Sequence, residues 1–251
     1  MSTTSRAVPG PLLALLDVLD EAPSAVELRS RSYELLHIAP GTRLLDVGCG
    51  GGRAVGEAAR LGAVATGVDP DERMIAAARA RWRAGAFVVA DACALPYPDG
   101  SVDAYRADKV FHELVDPSAA VAEARRVLAP RGRIVLIGQD WDTFVVDADD
   151  AALTRRIVHA RADQVTGPRV ARRYRGLLLD AGFREVETEI RTGVFADGSM
   201  LPVLSGIAAA ARAAGAVSPA EAESWTVDQH RRAAEDRSFV AVPMFVTAAT
   251  R

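Results

Sequence analysis

The stretch Leu44-Leu45-Asp46-Val47-Gly48-Cys49-Gly50-Gly51-Gly52 decides the fold of this chain. An apolar run that is typical of a buried strand gives way here to a glycine-rich turn, and a helical pattern follows it. Glycine adopts backbone angles that a Cβ forbids, so Gly48, Gly50 and Gly52 allow a sharp turn and a close approach to a ligand. The sequence therefore predicts a ligand-binding loop between a strand and a helix.

The residues around the loop indicate the charge of its ligand. A dinucleotide-binding loop needs a small residue at position 53, where this chain has Arg53. Asp46 would repel a pyrophosphate, but it suits a ligand that carries an amino group and a positive charge. A nicotinamide oxidoreductase is therefore only a weaker alternative.

The remaining chain alternates between strand and helix patterns, which predicts a parallel sheet covered by helices on both faces. We predict strands at 43–47, 64–68, 87–90, 102–105, 133–137, 186–194 and 239–247. We predict helices from residue 11 and at 24–38, 52–61, 71–83, 116–128, 149–164, 169–181, 199–214 and 219–235. The pairs Ser24/Glu27 and Ser218/Glu221 have the spacing of capping boxes. Pro243 argues for an edge or bulge position of the last strand.

Two acidic residues follow strands in the positions that a nucleoside ligand requires. Asp69 ends the second predicted strand, about 20 residues beyond the loop, where a carboxylate binds ribose hydroxyls. Asp91 follows the third strand. Ligands of open parallel sheets bind beyond the carboxyl ends of the strands, so these residues and Asp46 should converge.

The pattern Asp-x-Gly-x-Gly-x-Gly at residues 46–52 resembles the first motif of class I methyltransferases, which use S-adenosylmethionine. The stretch 106–114 resembles the segment after the fourth strand in the small-molecule group of ubiquinone-biosynthesis type (methyltransferase type 11). The resemblance implies an α/β, Rossmann-like, doubly wound sheet of seven strands, mostly parallel with the last antiparallel, and extra cap helices. It implies cofactor contacts at Asp46, Gly48, Cys49, Gly50, Gly52, Asp69, Pro70, Met74, Asp91, Ala92, Ala107 and Asp108.

The same resemblance suggests how the chain is divided. Residues 1–41 would form N-terminal cap helices, and residues 42–251 one methyltransferase domain with helical insertions at about 147–166 and 199–236. Candidate acceptor contacts are Tyr33, His112, Trp141, His159 and Tyr174. His112 is also the candidate general base, since an imidazole accepts a proton near neutral pH. For each histidine a structural role stays open, as it does for the leading helices.

The composition of the chain limits the classes of partner that it is expected to bind. The 251 residues carry a net charge of -3, which favours neither nucleic acid nor an anionic membrane. The two cysteines lack metal or disulfide spacing, and acidic residues interrupt the apolar run near residue 12, so we expect a cytoplasmic protein without a leader or a metal. We expect a monomer or homodimer with a small-molecule acceptor.

The leading hypothesis is methyl transfer to oxygen, nitrogen or carbon of a small metabolite. The run Asp140-Trp141-Asp142-Thr143 resembles a subset of bacterial secondary-metabolite enzymes, which suggests that setting. The alternative is an enzyme of cyclase type, which would bind the cofactor without transferring its methyl group.

Overall fold

The computed structural model describes residues 10–251, with the backbone alone for Pro11, Leu12, Leu15 and Leu16. Its helices are α1 (Pro11–Glu21), α2 (Pro23–Leu35), α3 (Arg53–Arg60), α4 (Glu72–Arg81), α5 (Pro117–Val127), α6 (Ala151–Ala162), α7 (Tyr174–Asp180), α8 (Leu201–Ala213) and α9 (Pro219–Ala234). Its strands are β1 (Arg43–Val47), β2 (Val64–Asp69), β3 (Ala86–Val89), β4 (Val102–Asp108), β5 (Leu128–Gln139), β6 (Val145–Val146), β7 (Arg184–Phe195) and β8 (Val240–Thr250). None of these helices is long and apolar enough to cross a membrane.

Within the described residues, the strands form one sheet of eight in the order β3-β2-β1-β4-β5-β8-β6, and β7 pairs with β8. Strands β1 to β5 run parallel, whereas β8 runs antiparallel to both β5 and β7. The predicted doubly wound sheet with an antiparallel last strand is confirmed. The structure has one strand more than predicted, β6, which pairs with the start of β8. With two residues it is too short to show the alternation of apolar and polar residues that marks a strand.

Helices bury apolar residues on both faces of the sheet. Helices α5 and α7 pack on one face, where Val121, Val127 and Leu178 lie against Tyr105 and Leu136. The other face is covered by α2, α3 and α4. Helices α6, α8 and α9 form a third apolar cluster with the first residues of β8, centred on Ile157, Leu204 and Trp225.

Strands β4 and β5 are longer than their apolar runs predicted. We predicted this strand over residues 102–105, but β4 continues to Asp108 because it is paired on both sides, with β1 and with β5. Strand β5 begins at Leu128 rather than Arg133. The charged and glycine-containing segment at its start therefore belongs to the sheet, although its local pattern indicated a turn.

Pro243 does not lie in an edge strand, which corrects the prediction. Its strand, β8, pairs with β7 along its whole length, and Pro243 is opposite Thr192. On the other side β5 pairs from Met244 onward, and β6 pairs only at Val240 and Ala241. Proline, which has no N–H, thus falls at the break between those two ladders.

One of the two predicted capping boxes is present. Ser218 and Glu221 form it at the start of α9, with both reciprocal hydrogen bonds. The box predicted at Ser24 and Glu27 is wrong, because α2 already begins at Pro23 and has Ala22 as its N-cap. With proline at its first position, this helix begins two residues earlier than a Ser24 N-cap would place it.

Candidate cofactor and acceptor site

The register of the sheet brings the predicted cofactor residues to one edge. Val47 of β1 lies opposite Val68 of β2 and Ala107 of β4. Asp69 in turn lies opposite Val89 of β3, two residues before Asp91. The glycine loop, Asp69, Asp91 and Asp108 therefore follow neighbouring strands at the same edge, as expected for a ligand site of this sheet type.

Backbone conformation explains the glycines of the loop. Gly48, Gly50 and Gly52 have φ values of 67°, 50° and 80°. A Cβ on Gly48 would collide with Val110, and one on Gly52 would lie 2.7 Å from Phe87. A Cβ on Gly50 would meet nothing within 4 Å. Gly50 therefore leaves open space beside the loop, where a ligand has room to approach the backbone.

This difference predicts distinct effects of two alanine substitutions. Gly48→Ala and Gly50→Ala should each cost about 1–2 kcal/mol of stability through left-handed strain. Gly48→Ala should cost roughly 1–3 kcal/mol more, because it also overpacks against Val110. Urea unfolding without ligand measures the free energy of unfolding of both variants. Equal losses in the two variants would show that Val110 moves away without cost.

Two side chains outside the predicted set hold the loop in place. The Trp82 indole Nε1 donates a hydrogen bond to the Gly51 carbonyl oxygen at 3.0 Å. Arg53, just after the loop, forms ion pairs with Asp17, Asp20 and Glu21 of α1 at 3.4–3.8 Å. Sequence reasoning missed both contacts, although an arginine beside a loop and three acidic residues in α1 were a usable signal.

Asp69 joins the loop to the next strand end. Its Oδ2 accepts from the Gly50 N–H and its Oδ1 from the Asp71 N–H, both at 2.9 Å. A carboxylate has about four lone-pair sites, so each oxygen retains capacity for a ligand hydroxyl. Asp69 is therefore both a loop anchor and a suitable acceptor for ribose hydroxyls.

The other cofactor candidates on β2 and β3 lie along the same edge. Asp91 is exposed, and its Oδ1 accepts from the Cys93 N–H at 2.7 Å, while Ala92 is buried. Pro70 is exposed and Met74 half-buried. The Cys49 side chain is buried, which raises the pKa of its thiol, and its backbone N–H donates to the Val68 carbonyl oxygen.

Asp46 has a partner within the chain that the sequence did not reveal. The Arg106 Nη1 donates to Asp46 Oδ1 and its Nη2 to Asp108 Oδ2, both at 2.9 Å. Its Nε donates to the Ser32 hydroxyl of α2 at 2.9 Å. Lys109 Nζ pairs with the second oxygen of Asp108 at 3.2 Å. Arg106 lies in the buried part of β4, and a charged residue there signals a buried ion pair.

This network changes which carboxylate is available to a ligand. The Asp46 side chain is 3% exposed, but that of Asp108 is 11% exposed. Burial alone would raise the pKa of Asp108, but Lys109 and Arg106 outweigh it and hold that pKa below its usual value. Asp108 is thus ionised at neutral pH at the strand ends of the sheet, whereas Asp46 is buried in its ion pair with Arg106.

His112 and Trp141 come together beyond β4 and β5. Their rings meet edge to face with centroids 5.4 Å apart, Phe144 stacks on Trp141, and the Arg161 guanidinium lies 4.7 Å from the Trp141 ring centre. His112 Nε2 lies 3.0 Å from Glu113 Oε1. Within the described residues, His112 Nδ1 and Trp141 Nε1 are buried and have no hydrogen-bond partner. A polar acceptor would satisfy both groups.

Burial determines the protonation state of His112. The side chain is 7% exposed, and desolvation lowers its pKa below 6.5, with further lowering by Arg161 and Lys109 against the effect of Glu113. The imidazole is therefore neutral at neutral pH. A neutral imidazole with an unpaired ring nitrogen has the form that a general base needs.

The other predicted acceptor residues have different surroundings. Tyr174 is completely buried, packs edge to face on Phe111 and donates to the Ile137 carbonyl oxygen, so its assignment to the acceptor pocket is corrected to a core role. Tyr33 is buried and its hydroxyl donates to Glu57 Oε2 at 2.9 Å. His159 is exposed on α6, the helix that contacts the Trp141–Thr143 turn. Of the five predicted residues, the rings of His112 and Trp141 are in direct contact.

The comparisons with known proteins identify the domain. Residues 45–136 match the family model of a methyltransferase domain. An uncharacterised 37.1 kDa protein in a transposon of Streptomyces fradiae is 36% identical over 199 residues, 76% of this chain and 57% of that protein. The 27-O-demethylrifamycin SV methyltransferase of Amycolatopsis mediterranei is 36% identical over 125 residues, 47% of this chain and 45% of that enzyme. The chain spans about half the length of these relatives.

Solved structures support the fold. The YcgJ protein from Bacillus subtilis has a TM-score of 0.62 at 15% identity, covering 90% of this chain and 98% of that one. The [4+2]-cyclase SpnF has a TM-score of 0.57 at 24% identity, covering 90% and 81%. The sheet defines an α/β protein whose candidate ligand residues lie at the strand ends. The family match shows that residues 45–136 of this chain form a methyltransferase domain.

Proposed function

We propose that this chain transfers the methyl group of S-adenosylmethionine to a hydroxyl of a small, partly apolar metabolite. The observation that carries the proposal is the convergence of the glycine loop, Asp69, Asp91 and Asp108 at one edge of the sheet. When bound, the cofactor supplies an electrophilic methyl group on sulfur. The open space beside Gly50 and the free lone pairs of Asp69 fit such a group.

Different residues of the chain bind different parts of the cofactor. Asp69 accepts from the ribose hydroxyls, Asp91 accepts from the adenine amine, and backbone N–H groups of the loop line the site. Asp108, ionised and partly accessible, attracts the cofactor's amino group and positive charge. Arg106 keeps Asp108 in position from the buried side.

The state of His112 supports a hydroxyl acceptor. Its unpaired, neutral Nδ1 would accept the proton of the acceptor hydroxyl, and the bound cofactor would supply the methyl group that the oxygen receives. Trp141 offers an unpaired N–H beside His112 to orient the acceptor. The relative that acts on a 27-O-demethylrifamycin supports an oxygen acceptor and a setting in secondary metabolism.

Removal of the Asp69 carboxylate tests the cofactor half of the proposal. Asp69→Ala should weaken S-adenosylmethionine binding by about tenfold or more, because hydrogen bonds to a charged group contribute roughly 1.5–3 kcal/mol. Calorimetry with the cofactor and its demethylated product measures the effect. Asp71→Ala is the control, since Asp71 caps α4 beside Asp69 without being a predicted contact. Equal affinity in Asp69→Ala and wild type would remove Asp69 from the site.

A cyclase-type reaction is the second candidate, favoured by the likeness of the fold to the [4+2]-cyclase SpnF. The two reactions differ in what happens to the cofactor. Methyl transfer releases the demethylated cofactor in a one-to-one ratio with a product that is one methyl group heavier. Cyclisation changes the substrate without a change in its mass and leaves the cofactor intact, so mass spectrometry separates them.

A further inference from the structure

Strand β7 is a long edge of the sheet. In the described part of the chain it pairs with β8 alone. It is twelve residues long, whereas the other edge strands, β3 and β6, are four and two residues long. Its only irregularity lies between Arg184 and Glu187. From Glu187 to Phe195 it contains neither a proline nor a bulge, two of the usual devices that prevent edge strands from pairing, and its charged residues Glu187, Glu189 and Arg191 are of both signs. This edge can therefore accept another strand.

The edge also exposes apolar side chains in a row. Ile190 is 57% exposed and Val194 is 56% exposed, and Val186 is half-buried on the same face of the strand. Single exposed apolar residues are ordinary on a protein surface, but a row along an unpaired strand is a template for sheet extension. Thr188 and Thr192, which lie between them, are also exposed.

The charges on the opposite face are self-complementary. Arg31 of α2 holds the Glu189 carboxylate with hydrogen bonds of 3.0 and 3.2 Å, so this acidic group is fixed at the edge. Arg191, two residues further along the same strand, is 53% exposed. If two copies of β7 pair antiparallel with Ile190 at the centre, Glu189 lies opposite the partner's Arg191, and Arg191 lies opposite the partner's Glu189.

We propose that β7 is the interface of a two-fold homodimer, in which the two edges pair antiparallel about Ile190. In this register Ile190 meets the partner's Ile190, Val186 meets the partner's Val194, and Thr188 meets the partner's Thr192. The two charge pairs, the apolar pairs and the backbone ladder all form at once. Cross-strand pairs of these kinds are those that stabilise antiparallel sheets.

The charges also select this register over its neighbours. Shifting the centre to residue 189 would keep Arg191 opposite an acidic residue, the partner's Glu187, but would place Glu189 opposite the partner's Glu189. Shifting it to residue 191 would place two Arg191 side chains opposite each other and Glu189 opposite the partner's Gly193. Like charges in opposed positions destabilise a sheet. The occupant that fits this edge is therefore a second copy of the same chain.

The proposed partner would also border a cavity at the ligand edge. A cavity of about 600 Å³ lies at the carboxyl end of β7, with Val194, Phe195 and residues of α1 among its lining. Because the partner's Val186 lies opposite Val194 in this register, the second copy forms part of the cavity rim. The dimer proposal does not depend on the reaction that the site performs.

Mixing two charge-reversal variants tests the interface. Glu189→Arg and Arg191→Glu each place like charges opposite one another in a homodimer, so each should weaken dimerisation by about tenfold or more. Mixed together, they restore both opposite-charge pairs, and a heterodimer should form with nearly wild-type affinity. Sedimentation velocity of each variant and of the mixture measures this. A wild-type monomer at micromolar concentration, or single variants that dimerise like the wild type, would overturn the proposal.

Cysteine cross-linking tests the register and is insensitive to effects on folding. In a Cys93→Ser background, Ile190→Cys places two Cα atoms about 4.5–5.5 Å apart across the axis, within reach of a disulfide. The matched control, Thr192→Cys, separates the two cysteines by about 13 Å along the strands, which a disulfide cannot span. Rapid oxidation to a covalent dimer is expected for Ile190→Cys alone. Equal cross-linking of both variants, or of neither, would contradict this register.

Discussion

Replacement of Arg106 by methionine is expected to lower the free energy of unfolding by about 3–5 kcal/mol, since it leaves the buried Asp46 carboxylate without its ion-pair partner and Asp108 with Lys109 alone. Arg106 is 3% exposed and binds Asp46 and Asp108 together. Methionine retains much of the side-chain volume, so the loss reports on the charge. Urea unfolding followed by circular dichroism provides the measurement.

Arg43→Met is the matched control for this substitution. Arg43 lies on β1, next to the strand of Arg106, and its Nη2 pairs with Asp103 at 2.6 Å, but the two side chains are 46% and 41% exposed. Exposed ion pairs contribute about 0–1 kcal/mol, so this variant should unfold nearly like the wild type. Similar small losses in both variants would mean that water reaches the Arg106 network.

The second large effect is expected in the chemical step. His112→Ala should lower the turnover rate by roughly 10²-fold while cofactor affinity stays unchanged, the usual range for loss of a general base. Steady-state kinetics together with calorimetry separate the two quantities. His230→Ala is the control, because His230 is an exposed histidine on α9 that is not a candidate for either binding site. A loss confined to acceptor affinity would make His112 a binding residue.

The pH profile gives an independent measure of the same role. Burial lowers the pKa of His112 below 6.5, so the neutral base persists as the pH falls through that value. Turnover should therefore decline only at a lower pH, where the folded protein protonates His112. The acid limb should be missing from the residual activity of His112→Ala. An acid limb centred above 6.5 in the wild type would contradict the assignment.

The local sequence determined the strand, loop and helix at the carboxyl end of β1, where the candidate cofactor residues lie. The change from an apolar run to glycines at Gly48, Gly50 and Gly52 predicted the strand, the loop and the helix, and all three glycines have positive φ. The order of strands and helices predicted the sheet, since parallel strands need helical crossovers. Asp69 followed from its position after a strand. The Ser218 capping box needed residues only three apart.

Only the tertiary structure decided which side chains meet. Asp46 and Arg106 are 60 residues apart, and their ion pair forms because β1 and β4 are neighbours. Tyr174 entered the core because Gly138 leaves space for its hydroxyl. Likewise, β7 became an edge only through the order of the sheet. Local periodicity specifies which face of a strand is apolar, but partners depend on contacts between distant segments, which no local pattern encodes.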